Sequence, residues 1–266
     1  MEMNFKSRIE SLKSKMPYSI IGNSLFGTPL YCFGSLTPEM VIFGGIHARE
    51  VASIELALRV CELIAENNKS VDVALVPLVN PDGLALYLND SLTKGKLSKE
   101  LANNFNPVIW KANGRGVDLN LNFDAAWATG KDNVFAPAPF GYVGQCPFSE
   151  PETIAVRDYL EKVTPKEVWA LHSRGEVVYH GFLNVSQKKE AAKVALLFNY
   201  SLSRSDWSAG GLKDWYVLKH SSDGFAVTIE LGTDEMDYLK IAKDDKYMDM
   251  LANRVYGYLI SAYSSV

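Results

Sequence analysis

Two histidines and two glutamates in this chain fall where apolar runs end. Val41-Ile-Phe-Gly-Gly-Ile46 delivers His47 and, three residues on, Glu50. That spacing puts both side chains on one face of a helical first turn. An imidazole and a carboxylate so placed can share one Zn²⁺, but a catalytic zinc takes three protein ligands and keeps one position for water. His172 is the third ligand that the chain offers. It ends the run Val168-Trp-Ala-Leu171, and sites in open α/β sheets form at the carboxyl ends of strands. A general base is then needed beside the ion. Glu230 closes Phe225-Ala-Val-Thr-Ile229, and a carboxylate at the tip of a buried-type strand calls for a reason. Zinc lowers the pKa of bound water to about 7, so a neighbouring glutamate can take its proton at neutral pH. The other two histidines, His180 and His220, have no partner at ligand spacing and read as structural.

The elements that must position these groups follow from periodicity. Residues 5–16 read as a short amphipathic helix stopped by Pro17, and 18–26 and 29–35 as paired strands about Gly27-Thr28. A strand over 40–45 leads into the His47 segment. Val51, Ile54, Leu58, Cys61 and Ala65 recur at steps of three and four, giving a helix to about Asn67. Residues 73–79 read as a buried strand ending in the turn Asn80-Pro-Asp-Gly83. Residues 84–116 read as mostly irregular, and loops of that length in a compact domain are usually functional. Ser149-Glu-Pro-Glu152 reads as a capping box opening a helix to about Lys162. Beyond it come a strand over 167–171, its partner over 177–182, a helix from 186 to about 204, strands over 215–219 and 225–231, and a closing helix over 244–263. On that last helix Tyr247, Leu251, Val255, Tyr258 and Ala262 share a face. Strands alternating with helices predict a mostly parallel or mixed sheet covered on both faces. No repeat or linker divides the 266 residues, so one domain is expected.

Composition narrows the function classes. The formal net charge is −4, and Lys and Arg are scattered rather than striped, which argues against nucleic acid. No run reaches the roughly 20 apolar residues of a membrane helix. The first ten residues carry charge but no apolar core, and the three cysteines (Cys32, Cys61, Cys146) lack metal-knuckle spacing. The expectation is a cytoplasmic protein with reduced thiols.

Five motifs in order resemble the zinc carboxypeptidase family: His47-Ala-Arg-Glu50, Asn80-Pro-Asp-Gly83, Gly116-Val-Asp-Leu-Asn120, Leu171-His-Ser173 and Thr228-Ile-Glu230. The resemblance runs from about residue 18 to 232. It implies an α/β/α sandwich around a twisted, eight-stranded mixed sheet, with one zinc per chain on His47, Glu50 and His172 and with Glu230 as base. It also gives Arg49, with either Lys111 or Arg115, to the substrate carbonyl and developing oxyanion. Where that family's carboxypeptidases place an arginine that clamps the substrate's terminal carboxylate, this chain has Leu121, which cannot form a bidentate ion pair. The family's mobile tyrosine maps near Asp206.

These departures resemble the branch that cuts murein peptides between D-glutamate and a diamino acid such as diaminopimelate. The segments that carry this likeness are Trp110-Lys-Ala-Asn113, Arg115 to Asn122, Pro147 to Thr153, His172 to Tyr179 and Gly211 to Tyr216. A substrate with two amines and two carboxylates calls for both charge types in the pocket. Lys213 or Arg174 is expected to pair a substrate carboxylate and Glu176 an amine, with Asn120, Arg115, Leu121 and Ser173 as further substrate contacts. Alternatives are a zinc amidase or deacylase on another small substrate, a carboxypeptidase with a rebuilt clamp, or a catalytically silent muropeptide-binding protein. The partner expected in each case is a small peptide rather than nucleic acid or membrane, and the sequence leaves the oligomeric state open.

Overall fold

The structure, a computed structural model, describes residues 4–204, 209–235 and 237–264. In chain order the helices are α1 (Phe5–Leu12), α2 (Val51–Glu66), α3 (Pro81–Tyr87), α4 (Ser91–Lys94), α5 (Lys99–Asn103), α6 (Pro151–Val163), α7 (Lys188–Phe198), α8 (Leu212–Lys219), α9 (Tyr238–Lys243) and α10 (Asp245–Tyr263). The strands are β1 (Tyr18–Asn23), β2 (Pro29–Gly34), β3 (Met40–Phe43), β4 (Val73–Val76), β5 (Glu167–His172), β6 (Val177–His180), β7 (Ser201–Arg204) and β8 (Phe225–Glu230). They form one mixed sheet in the order β1-β2-β4-β3-β5-β8-β6-β7.

Four parallel strands make its centre: β4, β3, β5 and β8. Each is an uninterrupted apolar run, as strands covered on both faces must be, and successive side chains alternate between two cores. Met40, Ile42, Val73, Leu75, Trp169, Leu171, Val227 and Ile229 pack under α1, α2, α7 and α10. Val41, Phe43, Ala74, Val76, Val168, Ala170 and Ala226 pack on the other side, beneath α6 and α8. The same alternation carries His172 and Glu230 to the second face. They are register partners at the shared carboxyl end of β5 and β8.

Several local expectations are corrected. Residues 177–182 do not pair with β5; β6 lies antiparallel to β8 and parallel to β7. The helix expected over 186–204 ends at Phe198, where Asn199 takes a left-handed conformation (φ 60°), and the chain continues as β7. Residues 215–219 are helical in α8, because the apolar Trp215, Tyr216 and Val217 bury against the sheet rather than joining it. Asn80-Pro-Asp-Gly83 opens α3: Pro81 takes the first helical position, and Asn80 Oδ1 accepts the Gly83 N–H at 2.9 Å. The 84–116 stretch holds the remainder of α3 and the short α4 and α5. Ser149 and Glu152 do not form a capping box. Glu150 is the N-cap, and the Ser149 hydroxyl donates to its carboxylate.

Candidate metal centre and cavity

His47 and Glu50 sit on the turn between β3 and α2, with Glu50 as the N-cap of α2 rather than inside its first turn. Gly45 (φ 63°) makes that turn possible, since a Cβ there would meet Ile54 and Leu78 at 2.9 Å. The turn is fastened from three sides. Ser53 Oγ donates to Glu50 O at 2.6 Å and accepts from Gly45 N. Ala48 N donates to Lys111 O at 3.1 Å. Asn80 Nδ2 lies 3.2 Å from both Ile46 O and Ala112 O, joining the turn to the segment that carries Lys111.

His172 meets this turn from the end of β5. Its Nδ1 lies 2.9 Å from Glu50 Oε2 and 3.0 Å from His47 Nδ1, and His47 Nδ1 lies 2.8 Å from Glu50 Oε1. One ligand atom from each of the three lies within 4.8 Å of the others. Ser173 N donates to Glu50 Oε2 at 3.2 Å, tying strand to turn.

The electrostatics explain what such a cluster wants. Burial opposes ionisation of Asp118, but Lys111 and His47 overcome it and hold the carboxyl well below its usual range. Asp118 is therefore an acceptor only, and the His47 Nε2–H donates to its Oδ1 at 3.1 Å. With the proton on Nε2, the Nδ1 lone pair of His47 faces the cluster. Burial, reinforced by His47, lowers the His172 pKa and keeps that imidazole neutral. Burial also works against a charged Glu50, yet the two imidazoles outweigh it and drive its pKa well down. Two neutral imidazoles and a carboxylate turned toward one point are a donor set for a divalent cation, with zinc suited to this His₂Glu combination. The residues present fit such an ion.

Glu230 closes the other side. Burial, with the Glu50 carboxylate nearby, pushes its pKa well above the ordinary range. It lines a cavity of about 290 Å³, as do His47, Arg49, Lys111, Asp118, Asn120, Leu121 and Lys213. Lys111 lies 3.6 Å from Asp118 Oδ2. Burial alone would lower its pKa, but Asp118 and Glu50 raise it, so it stays cationic. Asn120 Oδ1 accepts the Leu212 N–H at 3.1 Å and seats the start of α8. Gly210 (φ 88°) lets that helix approach, since a Cβ there would come within 2.6 Å of Leu121 O. Lys213, 3% exposed, donates to Gly181 O at 2.6 Å and pairs with Asp214.

Four expected contacts lie off the cavity wall. Arg115 turns outward onto Glu150 at 3.1 Å, because Glu150 is a buried carboxylate at the head of α6. Glu176 accepts from the Tyr247 hydroxyl at 3.3 Å, beneath the β8 end. Arg174, which follows a cis peptide bond from Ser173, stacks over Tyr238. Ser173 Oγ is buried with no partner among the described residues. Position 206 lies outside the described residues.

The cavity also has members that sequence reasoning gave no role. Asp118 stands inside the Gly116–Asn120 motif, and its position between a histidine ligand and a lysine is visible only in three dimensions. Tyr179, Thr228 and Asp214 line the wall, as does the 130–141 loop through Lys131, Asp132, Asn133 and Phe140. That loop carries no periodicity or motif that would have marked it. It supplies the wall expected from 84–116, of which only Lys111 reaches the cavity.

A three-donor centre at the ends of central parallel strands, within an eight-stranded mixed sheet, defines a zinc carboxypeptidase-type α/β protein. The chain belongs to the zinc carboxypeptidase family, whose profile matches residues 13–248. The family's one zinc has its donor set here in His47, Glu50 and His172. Gamma-D-glutamyl-L-diamino acid endopeptidase 1 of Lysinibacillus sphaericus is 30% identical over 263 residues, covering 86% of this chain and 65% of that protein; the chain thus spans less than two thirds of that relative. Among solved structures, bovine thrombin-activatable fibrinolysis inhibitor bound to a tick carboxypeptidase inhibitor superposes with a TM-score of 0.73 at 21% identity, covering 97% of this chain and 94% of that one. Murein-tripeptide amidase MpaA from Escherichia coli O157 superposes with a TM-score of 0.59 at 23% identity, covering 92% and 95%. These two likenesses are of fold. No helix among the described residues is long and apolar enough to cross a membrane.

Proposed function

We propose that this chain hydrolyses the amide between a γ-D-glutamyl group and a diamino acid in murein peptides. The observation that carries the reading is the meeting of His47, Glu50, His172 and Glu230 at a cavity that also holds Leu121 and the buried ammonium of Lys213. A zinc ion on the first three residues polarises the scissile carbonyl and lowers the pKa of water to about 7.

The chain's own groups do the rest. Glu230, whose raised pKa favours proton uptake near neutrality, accepts a proton from water and returns it to the leaving amine. Lys111 and Arg49 aim cationic donors at the oxyanion that develops on the carbonyl. Asp118 keeps His47 in the tautomer that presents Nδ1 and keeps Lys111 charged. Lys213 receives a carboxylate of the leaving diamino acid, with Asp214 beside it for an amine. Leu121 cannot pair a carboxylate, which disfavours ordinary C-terminal trimming. The relationship to the Lysinibacillus endopeptidase supports the same substrate class.

The test is mass spectrometry of products after incubating zinc-loaded protein with L-Ala-γ-D-Glu-diaminopimelate. Free diaminopimelate is the expected product. An untouched peptide, together with cleavage of a hippuryl-amino acid, would replace this reading with a carboxypeptidase.

A further inference from the structure

Arg49 and Arg174 each follow a histidine of the metal centre by two residues, and the structure brings both guanidiniums to one aromatic ring. Arg49 lies 5.0 Å and Arg174 5.2 Å from the centroid of Tyr238, the first residue of α9. A ring face attracts each cation, but two like charges gathered at one ring repel each other, and an anion between them relieves that repulsion. Two polar atoms beside the pair are also buried with no hydrogen-bond partner among the described residues: Arg49 Nε and Ser173 Oγ. Arg49 lines the cavity that contains Lys213, whereas Arg174 and Tyr238 lie outside it. The guanidinium pair therefore runs from the cavity mouth outward. A substrate whose amine half fills the cavity must pass its acyl half along this pair.

We propose that Arg174, with Arg49, binds the free α-carboxylate of a γ-linked glutamyl group on the acyl side of the scissile amide, so that this site reads the γ linkage itself. The inference rests on the murein-peptide reading above. In a γ-glutamyl amide the α-carboxylate carbon lies four bonds from the scissile carbonyl carbon, a reach of about 5 Å. An α-linked peptide has a neutral amide in that region. A guanidinium fork pairs a carboxylate through two parallel hydrogen bonds, and a carboxamide cannot accept both. Arg174 thus serves the glutamyl half of the substrate, instead of the diamino acid carboxylate for which sequence reasoning considered it.

The experiment compares L-Ala-γ-D-Glu-diaminopimelate with the same peptide carrying a carboxamide in place of the glutamyl α-carboxylate. Wild-type kcat/KM is expected to favour the carboxylate by about 10- to 100-fold, the size of one charge-assisted pair. Arg174→Gln should bring that ratio close to one through KM, while Arg174→Lys, which keeps the charge but loses the fork, falls between. Lys213→Met should keep the ratio. Binding of the dipeptide L-Ala-γ-D-Glu, followed by calorimetry, should weaken in Arg174→Gln by a similar factor. Equal cleavage of both peptides by the wild type, or an undiminished preference in Arg174→Gln, overturns the proposal. If neither peptide is cleaved, the peptidase reading fails separately, and dipeptide binding alone decides: Arg174-dependent binding upholds the carboxylate site, and Arg174-independent or absent binding overturns it.

Discussion

His47 Nε2 lies 3.1 Å from Asp118 Oδ1, and the opposite oxygen of that carboxylate lies 3.6 Å from Lys111 Nζ. One buried side chain thus sets the tautomer of a histidine in the metal centre and holds the lysine proposed for the oxyanion. Outer partners of metal-binding histidines commonly contribute 10–100-fold in metal affinity. Asp118→Asn should therefore weaken zinc binding by about 10- to 100-fold, measured by competition with a chromophoric chelator. Saturating zinc should restore only part of kcat, because Lys111 would still lack its anchor.

Glu230 is not one of the three metal donors, so its loss should separate chemistry from metal binding. Glu230→Gln should keep stoichiometric zinc in the purified protein and lose about 10²- to 10⁴-fold in kcat, the usual range for general acid–base catalysis. Near-native turnover in that variant would remove Glu230 from the mechanism.

Lys111 and Arg115 were rivals on sequence grounds, and their surroundings now differ sharply. Lys111 faces the cavity, while Arg115 is spent on Glu150 at the head of α6. Lys111→Ala should cost about 10²- to 10³-fold in kcat, as removal of an oxyanion donor does. Arg115→Ala should leave kcat unchanged and register only as a small fall in Tm, read by calorimetry.

The leaving half of the substrate gives a matched pair of outcomes. Lys213→Met should raise KM for the diaminopimelate peptide by about 10- to 100-fold, the worth of a hydrogen-bonded charge. Glu176→Gln should leave KM in place, because Glu176 lies off the cavity wall and accepts from Tyr247. Steady-state kinetics on the two variants would check both statements.

A pH effect on stability comes from outside the cavity. Glu152, fully buried, accepts from Leu25 N and Asn113 Nδ2, and burial pushes its carboxyl up to about 7. The folded state therefore holds this proton more tightly than the unfolded chain, whose glutamate has the ordinary value of 4.5. The favourable contribution is intact below about 4.5 and is lost as pH rises to about 7, for a total of about 3 kcal/mol. Glu152→Gln has no such proton, so Tm of the variant minus Tm of the wild type should climb from pH 4.5 to 7 and level off above. A flat difference in thermal melts across that range would refute the assignment.

The sequence by itself determined the central sheet, because β3, β4, β5 and β8 are apolar on both faces and only a doubly covered sheet buries such runs. It also marked His47, Glu50, His172 and Glu230, since polar groups that end buried strands emerge together wherever those strands run parallel. Local pattern was less decisive at Trp215–Lys219, where an apolar run too short to show its period was taken for a strand but packs as a helix on the sheet. Tertiary structure alone decided the side-chain partners. Nothing in the order of residues says that Arg115 turns to Glu150, that Glu176 turns to Tyr247, or that Asp118 bridges His47 and Lys111. Those choices depend on which loops meet at the sheet's end, where charges far apart in the chain compete for the same few partners.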